Sequence, residues 1–228
     1  MEVDSEAWQW TVIAGAGELG IEVSPEQARA MSIHARELLQ WNRVSNLTAI
    51  TDSVEVAIKH HVDSLAAVNM IPQGAQVLDA GAGGGFPGLP IKIVRPDLSI
   101  TLVDSVRKKT SFLNYTIGKL KLSNIQAVHG RLEDLGAQSA YRAKFDVVIC
   151  RALSALEDFV ALSLPFLCAR GSLMAMKGPQ AEHDHEIDDI DDDVLVLAGN
   201  RLKIDIHRYT LPVIGDERRL VRLTRAWL

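Results

Sequence analysis

The chain has 228 residues, of which 47% are hydrophobic, 23% charged and 5% aromatic, with 8 prolines and 2 cysteines. This composition excludes a disordered, collagen-like or low-complexity chain, and two cysteines cannot form a disulfide framework. The length predicts one domain with a small appendage, since a single domain has roughly 100 to 200 residues. No apolar stretch approaches the roughly 18 residues of a membrane span and no leader pattern is found, so we expect a cytoplasmic protein.

The formal net charge of −5 argues against a nucleic-acid partner only if the charge is spread evenly along the chain. Eight of the 29 acidic residues lie in 182–193, a segment without lysine or arginine, and the other residues carry a formal charge of +3. We interpret this acidic run as a solvated surface segment. His183 and His185 lie within it, but no third ligand follows at a suitable spacing, so we predict no metal site.

The first third of the chain, residues 5–70, has a helical pattern. Ser24 is the expected N-cap of a helix with Pro25 in its first turn, and apolar residues then recur at helical spacing. A second helix is predicted over Val54–Val68, with Asp52 or Ser53 as its cap. Pro72 and Gly74 end this pattern, which predicts an N-terminal helical segment, 1–72, packed on a main domain, 73–228.

From Gln76 onward, short apolar runs alternate with helical stretches, which is the pattern of an α/β fold with a doubly wound, mostly parallel sheet. The last two runs alternate apolar with polar residues, as antiparallel or edge strands do. The seven predicted strands are Val77–Ala80, Ile100–Asp104, Ile125–His129, Phe145–Cys150, Ser172–Met176, Leu202–Tyr209 and Leu220–Arg225.

A glycine-rich loop, 79–88, directly follows the first predicted strand and precedes a helix. In open parallel sheets ligands bind beyond the carboxyl ends of the strands, and glycine lets the backbone approach them closely. The loop therefore predicts a nucleotide-like cofactor. The spacing Gly83-x-Gly85-x-x-Gly88 satisfies the dinucleotide fingerprint, and Asp104 ends the next strand where a ribose-binding acid belongs, so a dinucleotide is one candidate.

Asp79 favours a different cofactor. A carboxylate at the end of the first strand repels a pyrophosphate but attracts an ammonium, and S-adenosylmethionine carries an amino group and a sulfonium and no phosphate. The acid-x-Gly-x-Gly pattern resembles the class I S-adenosylmethionine-dependent methyltransferases, whose fold is Rossmann-like. The resemblance implies that Asp104 binds the ribose hydroxyls and that Leu132 and Glu133 lie at the adenine edge.

An ordered series of motifs across most of the chain resembles a narrower family, the bacterial small-subunit ribosomal RNA guanine-N7 methyltransferases, also called the glucose-inhibited division protein B or RsmG family. Three departures are mild: Cys150 and Arg219 stand where the family often has serine and histidine, and the basic residue before the family's histidine is Lys59. The motifs are Trp41-Asn42, Asn46-Leu47-Thr48, His60, Asp63-Ser64, Asp79 to Pro90, Leu102 to Ser105 with Lys108, Gly130 to Glu133, Cys150-Arg151-Ala152, Ala175 to Gly178 and Asp216 to Val221.

This resemblance implies methyl transfer from S-adenosylmethionine to N7 of a guanine in 16S ribosomal RNA, with naked RNA or the small ribosomal subunit as partner. Separately, we expect no membrane contact and a monomeric enzyme. The implied cofactor contacts are Gly81, Phe86, Leu132, Glu133 and Arg151, to which the chemistry of the loop adds Asp79, Asp104 and Gly83. The candidate RNA-binding cations are Lys108, Lys109, Arg131, Lys177, Arg218 and Arg219.

Several alternatives stay open at this point. Another RNA, a protein or a small molecule would use the same cofactor half. Arg151 follows a buried strand, where an unpaired cation is costly, so we expect a specific partner: a carboxylate, the RNA or the cofactor. N7 of guanine has a lone pair and no proton, so we expect no general base, and Cys150 is read as a buried structural thiol. We also interpret His60 and Asp63 as structural residues.

Overall fold

A computed structural model of the chain describes residues 1–151, 155–178 and 194–226. Its N-terminal region contains two long helices, α1 (Glu6–Glu18) and α2 (Pro25–Ser45). The Ser24 hydroxyl accepts a hydrogen bond from the Gln27 backbone N–H, and the Gln27 side chain accepts one from the Ser24 N–H. This capping box satisfies two of the free donors at the start of α2, and it confirms the predicted N-cap.

The second predicted helix is helical throughout most of its length but is not one regular α-helix. It consists of α3 (Ser53–Glu55), a π-helical segment (Val56–Val62), α4 (Asp63–Leu65) and a 3₁₀ turn (Val68–Met70). Asp52 caps it, because its Oδ1 accepts from two backbone N–H groups of the first turn. A π-helical turn cannot be inferred from apolar periodicity, and such turns occur frequently at functional sites.

One mixed sheet forms the centre of the molecule, with the strand order β3-β2-β1-β4-β5-β8-β7-β6. The first five strands along the chain pair in parallel, and β8, β7 and β6 extend the sheet in antiparallel pairs. The strands are β1 (Gln76–Ala80), β2 (Ser99–Asp104), β3 (Ile125–His129), β4 (Phe145–Arg151), β5 (Leu167–Lys177), β6 (Val194–Leu197), β7 (Asn200–Thr210) and β8 (Glu217–Arg225). The later helices are α5 (Gly88–Val94), α6 (Arg107–Lys119), α7 (Leu132–Gly136), α8 (Leu156–Ser163) and a 3₁₀ turn (Leu164–Phe166).

The α/β class and the seven predicted strands are confirmed, but the predicted strand number is wrong, because the described residues form a sheet of eight strands. The additional strand is β6, which pairs only with β7 in the described sheet. Ala198 and Gly199 both have positive φ between β6 and β7, which is typical of a tight two-residue hairpin. The sequence analysis missed β6 because four apolar residues without the usual Asn-Gly turn signal give a weak pattern.

Two apolar layers cover the two faces of the sheet. One layer combines the N-terminal helices with strand residues such as Val77, Ile149 and Met174. The other packs α7 and α8 against the neighbouring, oppositely facing residues Leu78 and Val148. The N-terminal segment therefore shares a continuous hydrophobic core with the sheet, and the predicted boundary at residue 72 stays a prediction about chain organisation.

The acidic run 182–193, which includes His183 and His185, lies outside the described part of the chain. Ala152 of the Cys150-Arg151-Ala152 motif lies outside it as well. No helix among the described residues is long and apolar enough to cross a membrane. Cys150 is buried, Cys168 is partly buried, and no disulfide joins them.

Three buried histidines should make the fold sensitive to acid. Burial lowers the pKa of His34 to about 4 and of His60 to about 2, and the pKa of His61 is well below the usual value. Below a pH of about 6.5 the unfolded chain binds protons on these residues and the folded chain does not. The free energy of unfolding should therefore fall between pH 7 and pH 5. The expected loss at pH 5 is about 2 kcal/mol per histidine. Urea unfolding at pH 5, 6 and 7 measures this loss.

A matched pair of variants assigns part of that loss to one residue. The His34 Nε2 lies 2.8 Å from the Gly84 carbonyl oxygen, and a glutamine amide can donate the same hydrogen bond without titrating. His34→Gln should therefore show a smaller acid loss than wild type, while His207→Gln, at an exposed position, should leave it unchanged. Equal acid loss in His34→Gln and wild type would contradict a neutral, buried His34.

Candidate functional site

The glycine loop connects the end of β1 to α5 and uses its glycines in two ways. Gly81 and Gly83 have positive φ. If Gly83 carried a Cβ, its nearest neighbour among the described residues would be the Gly81 carbonyl oxygen, 3.8 Å away. The backbone at Gly83 therefore borders open space, as a ligand cradle requires. At Gly88, by contrast, a Cβ would lie 2.3 Å from Leu102 Cδ2 and 2.7 Å from Asp79 Oδ2. Gly88 is therefore needed for close packing of α5 on the sheet.

Asp104 ties the loop to the end of β2. Its Oδ2 accepts a hydrogen bond from the Gly83 N–H at 3.0 Å, and its Oδ1 accepts one from the Val106 N–H at 2.8 Å. The carboxylate is 6% exposed, and each oxygen retains a second acceptor position. Asp104 thus shapes the loop and still presents acceptor capacity to a ligand.

A crevice of about 250 Å³ opens beside Asp104 at the carboxyl ends of β1, β2 and β3. The structure brings four of the predicted cofactor contacts to this crevice, together with the predicted RNA-binding residue Arg131. Its lining consists of Gly81, Val103, Asp104, Ser105, Gly130, Arg131, Leu132, Glu133 and Leu162. Acidic, apolar and glycine surfaces therefore meet at one place, as the sequence analysis predicts for an adenosine-like group.

Asp79 does not line this crevice. Its side chain is fully buried, and its Oδ2 accepts a hydrogen bond from the Gly88 N–H at 2.8 Å. Its Oδ1 is buried without a hydrogen-bond partner among the described residues. Burial raises the pKa of Asp79 to about 7, against the opposing effects of the Gly88 hydrogen bond and the positive charge of Arg151. The acid therefore braces the loop through one carboxylate oxygen.

Phe86 and Arg151 also lie away from the crevice lining, on the side of the loop that faces the N-terminal segment. Phe86 is 5% exposed, and its ring stacks on His60 with centroids 4.4 Å apart. The Arg151 guanidinium lies 5.2 Å from the centre of the same ring. The structure thus brings these two predicted cofactor contacts together with residues of the N-terminal segment.

Arg151 has protein partners of its own. It donates to the Lys59 carbonyl oxygen at 2.7 Å and to His60 Nδ1, and its Nη1 lies 3.7 Å from the Asp63 carboxylate. This outcome matches the open alternative that a carboxylate pairs with Arg151. Burial lowers the pKa of the guanidinium, and the Asp63 and Asp79 carboxylates oppose that effect.

Asp63 is shared by three side chains from distant parts of the chain. Its Oδ1 accepts a hydrogen bond from the Tyr209 hydroxyl at 2.7 Å, and its Oδ2 lies 3.8 Å from the Arg218 Nε. The sequence did not predict these contacts, because Asp63 lies about 90 residues or more before Arg151, Tyr209 and Arg218 in the chain. Spacing along the chain carried no signal for them.

The predicted RNA-binding cations lie in different environments. Arg131 and Lys108 are exposed and Lys109 is partly buried at the start of α6. Lys177 and Arg219 are register partners on β5 and β8. Arg218 is 9% exposed and its Nη2 lies 3.2 Å from the Asp216 carboxylate, so the structure directs this residue toward acidic groups. Its predicted RNA contact stays a prediction.

Comparisons with known proteins give a consistent result. The profile of a family described as rRNA small subunit methyltransferase G matches residues 27–207. A protein named ribosomal RNA small subunit methyltransferase G from Desulforamulus reducens is 41% identical over 213 residues, covering 92% of this chain and 87% of that protein. One of the same name from Geobacter sp. strain M21 is 42% identical over 211 residues, covering 92% and 94%. A solved SAM dependent methyltransferase from Aquifex aeolicus has a similar fold, with a TM-score of 0.56 and 17% identity over 78% of this chain and 97% of that chain.

Asp79 should give the fold a second pH dependence, opposite in sign to that of the histidines. Because its folded-state pKa of about 7 exceeds the unfolded value, the folded chain holds the proton longer, and stability falls as pH rises toward 7. Asp79→Asn removes this titration, so the variant should gain about 2 kcal/mol relative to wild type between pH 5 and pH 8. Urea unfolding of both proteins at four pH values measures the difference, and a difference independent of pH would contradict the assignment.

The packing role of Gly88 can be separated from general effects of glycine. Gly88→Ala should lower the free energy of unfolding by about 1–3 kcal/mol, since the new methyl group overlaps Leu102 and Asp79. Gly118, inside α6, has nothing within 4 Å of a Cβ, so Gly118→Ala should stabilise the protein by about 0.5–1 kcal/mol. Chemical denaturation of the two variants measures both values. Similar stability of Gly88→Ala and wild type would show that the loop can shift.

Proposed function

The chain belongs to the rRNA small subunit methyltransferase G family, and we propose that it transfers a methyl group from S-adenosylmethionine to N7 of a guanine in 16S ribosomal RNA. The observation that carries this proposal is the crevice at the carboxyl ends of β1, β2 and β3, where Gly81, Asp104, Leu132 and Glu133 meet. In doubly wound sheets a nucleotide-like ligand binds beyond the carboxyl ends of the strands, next to the point where the strand order reverses, which here lies between β1 and β4.

The residues around the crevice fit S-adenosylmethionine better than a dinucleotide. Asp104 can accept hydrogen bonds from the two ribose hydroxyls, and Leu132 offers an apolar surface to the adenine. Asp104, Glu133 and the buried Asp79 make this region acidic, which disfavours a pyrophosphate. The amino group of the methionine moiety would supply a hydrogen bond to Asp79 Oδ1, the buried oxygen that has no partner among the described residues.

Arg151 supplies the opposite charge near the same loop. The methionine moiety carries a carboxylate as well as an ammonium, and a guanidinium is suited to bind a carboxylate. The Arg151 side chain is 17% exposed, although protein groups bind its guanidinium. Its exposed part can contact a ligand while these hydrogen bonds keep its orientation. We therefore assign the adenosine half to the crevice and the charged half to the region of Asp79, Phe86 and Arg151.

When bound, S-adenosylmethionine supplies an electrophilic methyl group on a sulfonium. Guanine N7 carries a lone pair and no proton, so the protein needs no general base. Its task is to hold the guanine in line with the methyl group and to exclude competing water. Because the guanine becomes cationic, donors suit O6 of the base better than N7 itself.

Two groups of cations flank the carboxyl edge of the sheet and are suited to RNA phosphates. One group is Lys108 and Arg131 beside the crevice, with Arg107 at the first residue of α6. The other is a cationic row of register partners, Lys177, Arg219 and Arg208, on β5, β8 and β7. Register partners share one face of the sheet, so these three cations lie near one another, as binding to successive RNA phosphates requires.

Within the cationic row, Arg208 is exposed and Arg219 partly exposed, whereas Lys177 is only 9% exposed. We therefore propose the two arginines as the outer RNA contacts, with Lys177 closer to the reacting base. One chain supplies the crevice and both groups of cations, so we take the monomer as the active unit, acting on ribosomal RNA in the cytoplasm.

Mass mapping of the product tests the reaction directly. Small ribosomal subunits that lack the modification, and naked 16S RNA, are incubated with S-adenosylmethionine, and the RNA is digested and analysed by mass spectrometry. A 7-methylguanosine at one position is expected. Cofactor binding without methylation of either RNA would move the acceptor to another molecule, and binding of NADH in place of S-adenosylmethionine would overturn the cofactor assignment.

Two variants should separate the cofactor half from the RNA half. Asp104→Ala should weaken S-adenosylmethionine binding by about tenfold or more in calorimetry, since two charged hydrogen-bond acceptors are lost. Arg219→Ala should leave cofactor binding nearly unchanged, weaken binding of the small subunit, and reduce the slope of log affinity against log salt by about 1.

Arg201→Ala is the matched control, because Arg201 is an exposed cation near the opposite end of β7. It should change neither the cofactor affinity nor the salt slope. Thermal unfolding of Asp104→Ala is measured in parallel, because Asp104 also braces the loop through Gly83 and Val106. Equal losses of cofactor affinity in Asp104→Ala and Arg219→Ala would contradict the division into two halves.

A further inference from the structure

The Arg151 guanidinium is held by two acceptors from a single stretch of the N-terminal segment. One is the Lys59 carbonyl oxygen, and the other is Nδ1 of His60. Both residues belong to the π-helical segment Val56–Val62. Arg151 is the last residue of β4. Its orientation is thus set by a part of the chain about 90 residues earlier.

The hydrogen bonds of His60 define its tautomer. Arginine has only donors, so Nδ1 of His60 must accept and the ring proton must lie on Nε2. The Nε2–H group donates a hydrogen bond to the Thr48 Oγ1 at 2.8 Å. The same oxygen also accepts a hydrogen bond from the Ile50 N–H at 3.0 Å. The lowered pKa of His60, caused by burial and by the charge of Arg151, agrees with this neutral form. Both ring nitrogens are committed.

Asp63 balances the charge of this group from the other side. It lies 3.7 Å from Arg151, is 7% exposed, and is itself oriented by the Tyr209 hydroxyl. Arg218, at 3.8 Å, shares the same carboxylate. A cation buried beside two acceptors and one shared carboxylate cannot swing away without leaving donors unpaired, which is costly in a buried position.

The held arginine lies against the glycine loop. Its guanidinium and the His60 ring both contact Phe86, which lies between Gly85 and Gly88 of the loop. His60 and Asp63 are about 95% buried and do not face the crevice, whereas Arg151 retains partial exposure. A ligand at the loop would therefore meet Arg151, while His60 and Asp63 act through it.

We propose that His60 is a positioning residue for the methyl donor, which with Asp63 fixes the Arg151 guanidinium in the orientation that binds the carboxylate of S-adenosylmethionine. This assignment rests on the proposed function. It makes the N-terminal segment a component of the cofactor site, because the π-helical turn supplies the Lys59 carbonyl oxygen and the His60 Nδ1 that hold Arg151. It also revises the interpretation of His60 and Asp63 as purely structural residues.

Two substitutions of His60 separate its two hydrogen bonds. Asparagine places an amide oxygen near the position of Nδ1 and keeps the acceptor for Arg151, whereas glutamine places an amide nitrogen near Nε2 and keeps only the donor to Thr48. The affinity for S-adenosylhomocysteine is measured by calorimetry. His60→Asn should stay within about threefold of wild type, and His60→Gln should weaken binding by about tenfold or more.

The same substitution in an Arg151→Gln background shows whether His60 acts through Arg151. If it does, His60→Gln should add less than about a twofold further loss there. Thr48→Val is a milder substitution, because it removes only the hydrogen bond between His60 Nε2 and the Thr48 hydroxyl. It tests the same proposal if His60→Gln fails to fold. Its expected loss of about threefold should likewise disappear without Arg151.

Each contrary outcome has a distinct meaning. Equal weakening by His60→Asn and His60→Gln, or an undiminished loss in the Arg151→Gln background, would overturn the positioning role and leave the proposed function intact. Full affinity in His60→Gln would do the same. Wild-type protein that binds neither S-adenosylmethionine nor S-adenosylhomocysteine would overturn the proposed function and this assignment together.

Discussion

Strand β1 is hydrogen-bonded to β2 along one edge and to β4 along the other, and all three strands run parallel. The connection from β1 to β2 through α5 and the connection from β3 to β4 through α7 pack on opposite faces of the sheet, so no chain crosses the carboxyl end of β1. The glycine loop occupies that end, and Asp104 from β2 holds it through the Gly83 N–H. The crevice, the loop and the placement of the cations all follow from this pairing.

The main energetic cost of the site is the desolvation of ionisable groups that lie beneath the glycine loop. Asp79 and Asp63 are buried carboxyl groups and Arg151 is a largely buried cation, although each would be better solvated at the surface. Their mutual proximity and their backbone partners offset part of this cost, but Asp79 Oδ1 has no partner within the described structure. A zwitterionic ligand, with an ammonium and a carboxylate, supplies charges of both signs at the place where the protein holds both signs.

The N-terminal helices have two roles that their sequence does not distinguish. Their apolar faces cover the sheet, as the helical spacing predicts, and the shared core shows that the segment is integral to the fold. Their polar residues reach Arg151 and Tyr209, which come from β4 and β7. A helix that covers a sheet near its carboxyl edge brings side chains close to the ligand site, so packing and positioning are inseparable here.

Local chemistry was sufficient for much of this protein. The Ser24 cap, the strands from β1 to β5 and the glycine loop each depend on neighbouring residues or on short periodic patterns, and Asp104 follows because a strand end has a known place in a parallel sheet. The ordered motifs identified the family from the sequence. Strand β6 was missed because its four residues carry little pattern.

Only the tertiary structure decided which buried groups face one another. Asp79 points to the Gly88 N–H instead of the crevice, Arg218 turns toward acidic side chains, and His60 meets Arg151 across a long separation in sequence. Such contacts join residues far apart in the chain, and their geometry is set by how the helices pack on the sheet, which residue spacing does not encode. The sequence by itself thus determined the fold class, the loop and the family, and the packing determined the internal contacts of the site.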